Sequence, residues 1–147
     1  MLCSHDLATT GADAAAIEAI ETFRDRLLRM EGGTDEVLLA AAKAPECPLL
    51  QIYAAIFWLY AGTRAGNAEA TPWIRRAEKT IANGTEREKC MLEVCHRWQA
   101  NDPESAIDLL EEITRLHPRD TVAAKASEFN YYKTGQHFQA RRFLRQM

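Results

Sequence analysis

The chain has few of the residues that build β-sheets and tight turns. Its 147 residues include 3 valines, 7 glycines and 5 prolines, against 24 alanines. Because valine favours strands and alanine is the strongest helix former, this balance argues against an all-β fold and favours helices. A chain of this length is enough for one compact domain, and we expect a single domain over residues 1–147.

Long apolar segments are also missing. The longest apolar run, Ile52 to Ala61, has ten residues, whereas a membrane-spanning helix needs about 20. This run therefore indicates a buried helix. The N-terminus, Met1–Asp6, has neither the basic nor the apolar region of a secretory signal. We therefore expect a cytoplasmic protein that has no membrane partner.

The sequence lacks the residue spacings that mark metal sites and catalytic groups. Its four cysteines show no paired C-x2-C spacing, and Cys90 and Cys95 lie five residues apart, so they diverge around a helix. His5, His117 and His137 have no carboxylate at a fixed spacing. No glycine-rich phosphate-binding loop is present. We therefore expect a protein that is not an enzyme and that has no metal ion and no cofactor.

Positive charge is scarce except near the C-terminus. The net charge of −3 argues against nucleic-acid binding by the molecule as a whole. Residues 133–147 contain Lys133, Arg141, Arg142 and Arg145 and no acid, whereas the remainder has 14 basic against 21 acidic residues, a net of −7. This segment fits a solvated helix end, where cations suit the helix dipole. It also fits a basic end that pairs with the acidic body of a neighbour.

Apolar residues at helical spacing, bounded by capping and stop signals, predict eight helices with short links. The third helix is apolar on almost every side and should be the most buried. Thr71 followed by Pro72 fits the start of the fourth helix, which leaves 62–70 as a loose link. Thr85–Glu88 fits a capping box that opens the fifth. The predicted helices cover approximately residues 13–30, 34–44, 49–61, 71–82, 85–100, 102–117, 120–132 and 135–147.

The last four helices contain an internal repeat with an offset of 34 residues. Ala106 aligns with Ala140, and Trp98 aligns with Tyr132 before the turn. A helix–turn–helix unit of this period is typical of the tetratricopeptide repeat (TPR). The small side chain suits a position where two helices approach closely. We therefore expect both alanines to be buried at equivalent helix crossings.

Several segments carry a family resemblance. Tyr131–Ala140 resembles the junction between the first and second helices of a TPR, and Ala106–Pro118 resembles a second helix. More narrowly, Thr85–Lys89, His117–Asp120 and Ala123–Lys125 resemble the N-terminal portion of the tetratricopeptide-repeat protein 38 family. The resemblance implies an all-α protein whose antiparallel helix pairs stack as a right-handed α-solenoid. It also implies two TPR-like pairs over 85–147 and divergent N-terminal helices over 13–84.

In such a stack the first helix of each pair lines a concave groove. The resemblance therefore implies a non-catalytic module that binds a protein or peptide partner of acidic character in this groove. A clamp for a terminal carboxylate is not expected, because Phe129 stands where that clamp has an asparagine. The predicted groove residues are Lys89, Leu92, His96, Gln99, Lys125, Phe129, Tyr132 and Lys133.

Two alternative functions remain open at this point. The last helix contains Phe138, Phe143 and Leu144, and the terminal unit of a repeat array normally needs a polar outer face. These residues therefore fit a self-associating subunit that forms a homodimer through this helix. The chain also fits the N-terminal part of a larger protein, with possible enzymatic chemistry among the first four helices.

Overall fold

The computed structural model describes residues 7–146, and this part of the chain consists of helices joined by short links, with no β-strand. The all-α class predicted from composition is therefore confirmed. A short 3-10 helix (Ile81–Asn83) follows the fourth α-helix. The α-helices are α1 (Ala14–Arg29), α2 (Glu36–Lys43), α3 (Pro48–Leu59), α4 (Arg64–Thr80), α5 (Glu86–Gln99), α6 (Pro103–Leu116), α7 (Thr121–Lys133) and α8 (His137–Gln146).

Side-chain caps fix the start of five helices. In each case an Asp or Thr oxygen accepts a hydrogen bond from the backbone N–H three residues later, which satisfies an otherwise unpaired donor. At α5 the predicted capping box is confirmed, because Thr85 and Glu88 each bond the other's backbone N–H. The capping residues are Asp13, Thr63, Thr85, Asp102 and Asp120.

The start of α4 differs from the prediction. The helix begins at Arg64, capped by Thr63, and continues through Pro72 to Thr80. The expectations of a loose link over 62–70 and of a cap at Thr71 are therefore wrong. Proline inside a helix removes one backbone hydrogen bond. Here the helix continues because Ala70 before the proline and Ile74 and Ala77 after it are buried, and α4 packs extensively against α3.

Helix α3 lies at the centre of the molecule and packs against α1, α2, α4 and α5. Its predicted position as the most buried helix is confirmed, since ten of its twelve residues are buried. One of them is polar: Gln51 donates hydrogen bonds of 2.7 Å and 3.0 Å to the carbonyl oxygens of Ala41 and Ala44 at the end of α2. These bonds anchor α2 against the centre of the core.

From α5 onward each helix packs against the next one along the chain. Ala106 in α6 and Ala140 in α8 are both fully buried. The burial predicted for the two repeat-related alanines is therefore confirmed. None of the described helices is both long and apolar enough to cross a membrane.

The N-terminal helix returns to the C-terminal half, because α1 packs against α7 as well as against α2 and α3. Two adjacent residues of α5 hold the segment that precedes α1. The buried Glu88 carboxylate accepts hydrogen bonds from the backbone N–H and hydroxyl of Thr10, at 2.9 Å and 2.7 Å. Arg87 donates to the Ala8 carbonyl at 3.1 Å and to Asp120 Oδ2 at 2.7 Å. One hydrophobic core consequently contains residues of α1 through α7.

Candidate functional site

The eight predicted groove residues do not form one continuous surface. Leu92 was expected to be exposed, and this is wrong, because it is only 5% exposed. Helices α3, α4 and α6 all pack against α5 and leave little of it open.

Helix α4 covers two of the other predicted residues of α5. His96 Nε2 lies 3.2 Å from Glu78 Oε1, and Gln99 donates to the Asn67 carbonyl and the Thr71 hydroxyl at 2.7 Å and 2.8 Å. The contact of Gln99 with Asn67 depends on the early start of α4, which places Asn67 beside the end of α5. Lys89 is exposed and pairs within its own helix.

The predicted residues of α7 lie in two different environments. Phe129 packs on Tyr60 and Trp98, with ring centroids 4.6 Å and 5.5 Å apart, and so joins an aromatic cluster where α3, α5 and α7 end. Burial raises the pKa of Tyr60, so its phenol stays neutral. Tyr132 and Lys133 are exposed at the far end of α7, next to α8.

Lys125 lines a pocket of about 450 Å³ between α1, α3 and α7, which we call the α1–α3–α7 pocket. Lys125 is partly buried, and its Nζ donates to Glu128 Oε2 at 2.8 Å. The walls are mainly apolar and aromatic, with charged groups among them. The lining residues are Phe23, Arg26, Leu27, Met30, Glu31, Thr34, Phe57, Trp58, Tyr60, Ala61 and Lys125.

Met30 is the most unusual residue of this pocket. The residue is 83% exposed, although its side chain is apolar. Its backbone is left-handed, with φ of 54°, a conformation that usually favours glycine. The neighbouring Arg26 is fixed, because its Nη1 lies 2.7 Å from both the Gly33 carbonyl and Glu36 Oε2. The pocket therefore combines a flexible apolar side chain with a rigid charged one.

Two other grooves are lined by fewer large aromatic side chains. A groove of about 430 Å³ between α1 and α2 is lined largely by alanines and charged side chains. A groove of about 630 Å³ where α6, α7 and α8 meet is lined by Glu111, Arg115, Arg142 and other mainly polar residues. Among the three, only the α1–α3–α7 pocket presents several large aromatic side chains.

The described residues contain no arrangement suited to thiol or metal chemistry. Burial raises the pKa of Cys95 to about 12, and it also raises the pKa of Cys47 and Cys90, so these thiols stay protonated at neutral pH. Over residues 7–146, no group of three or more His, Cys, Asp or Glu side chains could hold a metal ion. Cys3 and His5 lie outside the described residues.

Sequence reasoning missed most of the pocket. Phe57 and Trp58 belong to the third helix, which was expected to be the most buried, and neither was predicted to line a pocket. The almost uniformly apolar α3 shows no polar face that could reveal which of its residues reach the surface. The one available signal was Met30 itself, a large apolar residue at a helix end before Glu31-Gly32-Gly33.

Comparisons of the chain with protein-family models, with curated proteins and with solved structures found no significant match.

Proposed function

We propose that this protein is a non-catalytic, cytoplasmic interaction module of the TPR type. In this proposal α5–α8 form two TPR-like pairs of a right-handed α-solenoid, and α1–α4 are divergent N-terminal helices. The buried alanines at 106 and 140, which occupy equivalent repeat positions, support this arrangement. The module binds a protein or peptide partner on its concave side, where the α1–α3–α7 pocket receives an apolar side chain of the partner.

The observation that carries this proposal is an aromatic pocket with an exposed methionine in its lining. Methionine adapts to partners of varied shape because its side chain is unbranched and polarisable. Aromatic residues are enriched at the buried centres of interfaces. Arg26 and Lys125 also line the pocket, where each is paired with a glutamate and has further N–H donors for an acidic residue of the partner.

Affinity capture of partners from cells that express the protein tests this function. Met30→Glu and Lys125→Glu should each weaken recovery of the same partner by about tenfold. Met30→Glu places a charge in an apolar contact, and Lys125→Glu leaves Glu128 unpaired beside a second carboxylate, which repels acidic residues of the partner. Leu39→Glu on α2 and Lys79→Glu on α4 are matched controls at exposed positions outside the pocket. Equal recovery of the partner with all four variants would show that the pocket does not bind the partner.

Self-association through α8 is the second candidate, and exposed apolar residues favour it. Phe138 is 77% exposed and Leu144 is also exposed, whereas Phe143 is buried beside Tyr131. A twofold α8–α8 contact would, however, bring the arginines of both copies together. Sedimentation over a range of concentrations distinguishes the candidates: we expect a monomer, and a dimer that dissociates in Phe138→Ser would favour self-association.

A further inference from the structure

The outward side of α8 is a basic stripe with one aromatic residue. Phe138, Arg141, Arg142 and Arg145 occupy positions i, i+3, i+4 and i+7, which lie on one helical face. All four are exposed. The opposite face holds the buried Ala140 and Phe143 against α7. We call Phe138 and the three arginines the α8 basic face.

Most cations of the other helices form ion pairs, whereas the arginines of the α8 basic face form none with the described residues. Arg97, Arg115 and Lys125 each pair with a glutamate three or four residues away in the same helix. Helix α8 contains no acidic residue, and the sequence has none after Glu128. The nearby positive charges therefore repel one another, and none of the described carboxylates forms an ion pair with them. Glu111, which lines the same groove as Arg142, accepts a hydrogen bond from the Tyr131 hydroxyl. An anionic group bound from outside would relieve that repulsion.

We propose that the α8 basic face docks an acidic, amphipathic helix of a different protein. Carboxylates of that helix pair with Arg141, Arg142 and Arg145, and an apolar side chain packs on Phe138. Arginine suits carboxylate partners because its planar guanidinium forms two parallel hydrogen bonds with them. This surface is separate from the α1–α3–α7 pocket, and it does not depend on the pocket's function.

The charge distribution of the molecule favours an acidic helix over a second copy, a nucleic acid or a membrane as the ligand of this face. A second copy docked through the same face would oppose three arginines with three arginines. A second copy docked by its acidic body would assemble head to tail into rings or open chains, which sedimentation would detect as higher oligomers. A nucleic-acid duplex or an anionic membrane is an extended negative surface, which the remaining −7 of the molecule would repel. A short acidic helix contacts α8 alone and avoids that repulsion. Membrane docking would also need a wide apolar stripe, whereas the apolar side of α8 is largely used against α7.

Binding of a designed probe to the full chain tests the proposal. The probe is a fluorescent, helix-forming synthetic peptide with glutamates on one face and a leucine among them, and its affinity is followed by fluorescence anisotropy. Arg141→Glu with Arg145→Glu should weaken binding by about tenfold or more. Arg75→Glu with Lys79→Glu on α4 makes the same change in net charge at exposed positions and should leave the affinity within about twofold.

Further controls separate docking from simple charge attraction and from loss of the helix. Arg141→Gln with Arg145→Gln removes the charges while keeping good helix formers, and it should also weaken binding. Phe138→Ala should weaken it by several-fold. The α8 proposal is overturned if the α4 and α8 reversals act equally, or if Phe138→Ala has no effect. It is also overturned if duplex DNA or anionic phospholipid vesicles bind more tightly than the peptide.

Discussion

At the scale of single residues, two alanines determine how closely the C-terminal helices approach. Ala106 and Ala140 have no exposed surface, so a long side chain at either position must displace a neighbouring helix. We expect Ala106→Arg to lower the free energy of unfolding by about 3 kcal/mol or more, from overpacking and an unpaired buried charge. Urea unfolding measures the loss. Ala42→Arg at an exposed position of α2 is the control, and equal stability of the two variants would contradict the placement.

A second residue-scale prediction concerns the buried ion pair between Arg87 and Asp120. Both side chains are almost fully buried. Arg87→Met leaves the Asp120 carboxylate without its counter-charge, which should cost about 3 kcal/mol of stability. Arg115→Met, which breaks the exposed pair with Glu112, should change stability by less than about 1 kcal/mol. Thermal and urea unfolding of both variants measures these losses of stability. Similar losses in the two variants would show that the Arg87–Asp120 pair is not effectively buried.

At the scale of elements, α4 carries a proline in its interior. Pro72 has no N–H to donate to the Ala68 carbonyl, and its ring is exposed. Pro72→Ala should therefore raise the free energy of unfolding by about 1–2 kcal/mol, after allowance for the greater freedom of the unfolded chain. Pro103→Ala is the matched control, because Pro103 occupies the first turn of α6, where no backbone bond is lost. A loss of stability in Pro72→Ala would mean that the proline is needed for α4 to pack.

The starts of α5 and α4 show where prediction of helices from sequence succeeds and where it fails. The capping box at Thr85–Glu88 is a local pattern, so it could be recognised without the fold. The start of α4 could not, because Thr71-Pro72 is also a good local start signal. Thr63 and Thr71 are both good local caps, and the packing of α4 against α3 selects the earlier one. That early start also brings Asn67 against Gln99, which the sequence placed in an open groove.

At the scale of the whole molecule, the contact of α1 with α7 makes the unfolding of distant segments interdependent. A strictly linear repeat array has contacts only between neighbouring units and can open from one end. Here we expect α1 and α7 to lose protection from hydrogen exchange together, at the free energy of global unfolding. Helix α8 should open at a lower free energy, because it belongs to a separate cluster of only four buried residues.

Native-state hydrogen exchange at increasing urea, followed by mass spectrometry, measures these openings. Arg87→Met should reduce the protection of α1 and α7 by the same amount, since Arg87 binds both the Ala8 carbonyl and Asp120. If α1 exchanges independently of α7, the two halves of the molecule unfold as separate units.

The amino-acid sequence by itself determined the helical class, most of the helix starts and the burial of Ala106 and Ala140, because these depend on local propensity, capping and spacing. Only the tertiary structure decided which surfaces stay open. Thr10 and Glu88 are 78 residues apart, and their hydrogen bonds follow from the path of the whole chain. The α1–α3–α7 pocket likewise forms where three helices distant in sequence meet, so no local pattern could specify it.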